Sequence, residues 1–71
     1  MCIVMPLKVM EINGTQASGE INGMKKTVRI DLIESLEEGD YILINAGVAL
    51  SRISKKKAKE IREYIDEMAR L

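Results

Sequence analysis

Apolar and polar residues alternate in short bursts along most of the chain, then switch to a helical period near its end. In the run Leu7 to Ile12, Leu7 and Val9 flank Lys8, the pattern of a half-buried strand. Asn13-Gly14 follows, a pair that suits a tight hairpin because both residues tolerate positive φ. Thr15 to Ile21 reads as a weaker second strand, with Gly19 expected to mark a bulge. Asn22-Gly23 repeats the turn signal. From Lys26 to Leu32 the alternation places Val28, Ile30 and Leu32 on one face and Arg29 and Asp31 on the other. A polar loop over 33–40 ends in Glu38-Gly39-Asp40. Tyr41-Ile42-Leu43-Ile44 is almost continuously apolar, as a central strand would be. Gly47 interrupts this run, and Val48 to Ile53 resumes it.

After Ser54, a good N-cap residue, the period changes. Ala58, Ile61, Ile65 and Met68 recur at helical spacing, with Tyr64 and Leu71 beside them, so 54–71 reads as an amphipathic helix. Lys56–Glu60, Lys59–Glu63 and Asp66–Arg70 are spaced for weak pairing. Lys55-Lys56-Lys57 opposes the helix dipole. Four or five short strands within about 50 residues, joined by tight turns, predict a mainly β fold. The expected architecture is a small OB-like β-barrel over 7–53 followed by one C-terminal helix, in a single domain, with Val9, Val28, Ile30, Ile42 and Ile44 inside. Met10, Met24 and Met68 are expected to fill core gaps.

Composition narrows the chemistry. The 71 residues carry one cysteine and no histidine, so neither an internal disulfide nor a Cys/His zinc set can form. A cysteine-poor chain suits a reducing compartment. With no apolar run of membrane-spanning length and no signal-peptide pattern, the expectation is a cytoplasmic protein without a membrane partner. The 11 basic and 11 acidic side chains cancel. They are unevenly placed: residues 1–40 hold four basic and seven acidic groups, residues 41–71 seven and four. No histidine base, glycine-rich phosphate loop or nucleophile elbow is present, which argues against an independent enzyme.

The chemically distinctive segment is Met1-Cys2-Ile3-Val4-Met5-Pro6. A lone cysteine is commonly a small core hydrophobe. One at a chain end is harder to explain by packing. If the initiator methionine is removed, Cys2 presents an amine and a thiol together, a set that suits iron. Pro6 restricts the arm behind it. Ile3, Met5 and Pro6 are therefore partner-binding candidates beside Cys2, with Met5 belonging either to an adaptable docking surface or to the core. The lysine run near Arg62 offers an alternative, a small OB-like nucleic-acid-binding module. Against it, the chain has only Tyr41 and Tyr64 as aromatic residues for base stacking, and its net charge is zero.

The opening Met1-Cys2-x-x-x-Pro6, the stretch Asn22 to Leu32 and the block Gly39 to Ala49 together resemble the HypC/HupF hydrogenase maturation chaperones, over essentially the whole chain. The resemblance implies a cytoplasmic accessory protein that helps assemble an iron bearing cyanide and carbon monoxide ligands for the nickel–iron hydrogenase large-subunit precursor. It implies the HypD scaffold as partner, no nucleic acid, and the family's essential cysteine at Cys2. Asn45 stands where many members have histidine, and it is expected to hold local structure or a partner contact without proton transfer. Leu7 replaces a common glycine, and Lys55-Lys56-Lys57 replaces a usually acidic helix start. A further possibility is an interaction module without iron chemistry, with Asn45 as its support.

Overall fold

The computed structural model describes residues 4–21 and 23–70. Cys2 and Ile3, together with Asn22 of the second turn and Leu71 of the helical stripe, lie outside the described residues. The alternating segments form β1 (Met5–Lys8), β2 (Glu11–Asn13), β3 (Gln16–Ile21), β4 (Met24–Arg29), β5 (Tyr41–Asn45) and β6 (Val48–Ile53), followed by the helix α1 (Lys55–Ala69). One sheet takes the order β1-β5-β6-β4-β3-β2. Its pairs are antiparallel except β4 with β6, which run parallel at Arg29 and Val48. The sheet curls until β1 approaches β3, giving the barrel-like form expected, without a ladder closing the two edges among the described residues.

Alternation explains the core. Leu7, Val9, Ala17, Ile21, Val28, Ile30, Ile42, Ile44 and Ala49 form one buried cluster, which includes all five residues expected inside. Each large aliphatic removed from water contributes about 1.5–3 kcal/mol. Two hairpin turns follow the glycine signals. Gly14 has φ +62° between β2 and β3, and Gly23 has φ +79° between β3 and β4, a conformation open to glycine because it has no Cβ.

Several expectations are corrected. The run Leu7 to Ile12 is two strands, bent at Val9 and Met10, because Val9 bonds Asp40 while Met10 N–H donates to Ser18. Leu32 is 65% exposed. β4 ends at Arg29, and the Ile33 N–H closes a turn onto the Ile30 carbonyl, so the alternation loses phase before Leu32. Gly19 makes no bulge, since the β3–β4 register is unbroken through it. The register shift lies instead between β5 and β6, where Leu43 faces Ser51 and Ile44 faces Ala49, leaving Leu50 as the extra residue. Met10, Met24 and Met68 are exposed and fill no core gap.

The helix begins where the sequence places it. The Ser54 hydroxyl accepts the Lys57 N–H at 3.0 Å. Ala58 is buried, and α1 packs through this small residue against β1 and β5. Ile61 and Ile65 are half-buried, whereas Tyr64 and Met68 are exposed. The apolar stripe is thus covered along only part of its length. An i,i+4 ion pair on the helix joins Arg62 to Asp66 at 3.7 Å, both at the surface.

Candidate functional site

Antiparallel pairing of β1 with β5 brings two distant parts of the chain together. Met5 lies opposite Ile44, Pro6 opposite Leu43, Leu7 opposite Ile42 and Lys8 opposite Tyr41. The start of β1 therefore meets the end of β5. The segment that enters β1 arrives at the level of Asn45 and of the turn that follows it. Cys2 and Ile3, the first two site candidates, precede this point and are outside the described residues.

The remaining candidates differ in environment. Met5 is half-buried and packs against the core cluster, so the side chain considered for docking also serves the barrel. Pro6 is buried in an edge strand, where its missing N–H is tolerated because β1 has a ladder partner on one side alone. Asn45 is half-buried as the last residue of β5, paired in register with Val48. An asparagine amide carries both donors and an acceptor, whereas it does not titrate near neutral pH.

The turn after Asn45 is strained. Ala46 has φ +52° and Gly47 φ +82°, the two successive positive values of a type I′ hairpin. Gly47 accommodates this without a side-chain clash, but the Cβ of Ala46 costs about 1–2 kcal/mol in the left-handed region. The turn is also anchored to a third strand, since Arg29 N–H donates to the Gly47 carbonyl at 2.9 Å. The start of β1 lies beside this corner, since Met5 faces Ile44.

At the other end of β5, Arg52 secures the 31–40 loop. Its guanidinium donates to the Glu34 carbonyl at 3.1 Å and the Ser35 carbonyl at 3.3 Å, and meets the Asp40 carboxylate at 3.4 Å. The same Asp40 oxygen accepts the Glu37 N–H at 2.9 Å. Asp40 belongs to the second sequence block singled out above, and its structural partners account for it. Arg52 and Ala46 were not legible as important residues, because one pairs across 17 positions and the other is ordinary outside its turn.

The arrangement sets the start of β1 beside a fixed turn at the end of β5. Among the described residues, no three acidic or cysteine side chains converge on a possible metal position. Among the same residues, no helix is long and apolar enough to cross a membrane.

Comparison with known proteins adds what geometry alone does not carry. Residues 1–65 match the HupF/HypC family. The hydrogenase maturation factor HypC of Azotobacter chroococcum mcd 1 is 28% identical over 100% of this chain and 86% of its own length. That of Rhizobium leguminosarum bv. viciae is 30% identical over 97% and 93%. That of Escherichia coli (strain K12) is 28% identical over 96% and 82%.

Proposed function

Because the chain belongs to the HupF/HypC family, we propose that it is a hydrogenase maturation factor whose Cys2 thiolate handles iron as cargo. The observation that carries this reading is the family match over residues 1–65, which includes Cys2 and Pro6. The β1–β5 register supports it, because the segment behind Cys2 is led to Asn45 and a pinned turn. A thiolate is the form of cysteine that binds a soft metal or attacks an electrophile. In this reading the chain supplies that sulfur and a docking surface, and completes the iron's surroundings with the HypD scaffold. The iron carries cyanide and carbon monoxide ligands and passes to the nickel–iron hydrogenase large-subunit precursor. Met5, Pro6 and Asn45 hold the geometry of the presenting end, with Ile3 contacting the partner. The chain performs no turnover of its own.

Cys2→Ser tests the assignment in a strain lacking the wild-type gene and its paralogues. Serine is a harder ligand and stays protonated at neutral pH. The variant should keep the wild-type melting curve and lose hydrogenase maturation. Anaerobic co-purification with HypD should give cyanide and carbonyl stretching bands with wild type and none with the variant. Full hydrogenase activity with Cys2→Ser would sink the proposal.

A further inference from the structure

On the outer face of the barrel, α1 and β1 enclose an open groove of about 300 Å³. Pro6, Tyr41 and Ala58 give it an apolar wall. Lys8, Lys55, Lys59 and Arg62 surround that wall, with Glu20 the acidic residue lining the groove. Four cations thus face one carboxylate in a chain whose net charge is zero. Arg62 is joined to Asp66, but among the described residues the side chains of Lys8, Lys55 and Lys59 have no ion-pair partner. The first turn of α1 contains no acidic residue, so the positive end of the helix adds to the same field.

We propose that this groove binds an acidic, extended segment of a partner protein, with carboxylates on the lysines and an apolar side chain against Tyr41 and Ala58. Charge complementarity is the ground for this occupant. In the isolated chain, the lysines repel one another and the helix terminus. Carboxylates placed among them reverse the sign of both interactions. The volume is at the low end of ligand sites and suits a few side chains. A nucleic-acid strand fits less well, because Tyr41 is the single aromatic residue of the groove and base stacking uses several. The inference goes beyond the maturation reading, and its test needs neither iron nor hydrogenase.

The experiment is an amide NMR titration of the full chain with a blocked pentapeptide of four acidic residues around one leucine. A lysine-for-acid version of the peptide and oligothymidylate serve as comparison probes. Saturable shifts at Lys8, Tyr41, Lys55, Ala58 and Lys59, at micromolar to millimolar peptide, are expected. The double variant Lys55→Glu/Lys59→Glu should bind roughly tenfold more weakly, by loss of two partly screened charge pairs and their replacement with repulsion. Its helix should melt no earlier than wild type, because the new acids favour the helix dipole. Shifts that are absent, lie elsewhere or persist unchanged in the variant would overturn the proposal, as would tighter binding of oligothymidylate in the groove.

Discussion

The α-carbon of Gly19 in β3 lies against the backbone carbonyl oxygen of Lys8 in β1, so near that a Cβ at position 19 would overlap it and press on the Leu7 side chain. This contact lets the curled sheet bring its first strand onto its third. Gly19→Ala should therefore destabilise the fold by about 1–3 kcal/mol, the scale of overpacking against atoms that cannot move aside. A urea melt followed by circular dichroism measures it. Wild-type stability in the variant would show that the two strands separate freely.

Ala46 predicts the opposite sign. It occupies the left-handed region at φ +52° in a turn that glycine or asparagine fills with less strain. Ala46→Gly should raise stability by about 0.5–1 kcal/mol, the relief of the Cβ clash less the added freedom of the unfolded chain. Gly47→Ala, at φ +82°, should lower it by a similar amount. Paired thermal melts would reveal both, and equal effects of the same sign would contradict the turn assignment.

Arg52 ties the middle of the 31–40 loop to β6, while backbone bonds to Val9 and the packing of Ile33 and Leu36 hold other parts of it. Its bonds to the Glu34 and Ser35 carbonyls are charge-assisted, whereas its contact with Asp40 is partly exposed and longer. Arg52→Ala should cost about 1–2 kcal/mol. Hydrogen exchange should speed up over 31–40 before it changes in β3 and β4. Uniform acceleration through the sheet would mean that Arg52 supports the whole barrel rather than the loop.

Asp31 provides a pH test. Its carboxyl is held below the ordinary value of 3.8, first by a backbone amide of its own residue and then by the Arg29 guanidinium at 2.9 Å. A carboxylate with a depressed folded pKa favours the fold above its unfolded pKa, and that contribution fades as pH falls through the folded pKa. Stabilities of wild type and Asp31→Asn should converge on acidification below the ordinary aspartate range. In an NMR titration, Arg29→Ala should raise the Asp31 pKa only partway, because the backbone amide remains. Complete return to the ordinary value would assign the depression to Arg29 alone.

Local pattern was sufficient for much of the architecture. Period-two alternation identified Val9, Val28, Ile30, Ile42 and Ile44 as core: Val28, Ile42 and Ile44 belong to strands with one face turned inward, and Val9 and Ile30 directly follow the ends of β1 and β4. Ser54 was legible as a cap because its hydroxyl acts on a neighbour three residues away. The Cys2-to-Pro6 motif and the block ending near Ala49 carried the family resemblance without any coordinates. Pattern failed where a strand stopped early, as at Leu32, and where a helix outran its support, as at Met68.

Tertiary structure decided what lies beside what. Met5 faces Ile44, the neighbour of Asn45, because β1 pairs with β5, a register set by strands more than thirty residues apart. Lys8, Tyr41 and Lys59 share one groove because α1 rests its single buried residue, Ala58, on β1 and β5. Gly19, read in sequence as a bulge, is a point of contact between strands. The physical reason is range: alternation, capping and turn chemistry act over a few residues and are written in local order. Strand partnership and helix seating minimise the free energy of the whole core, so the same local signals acquire their function only when the sheet curls.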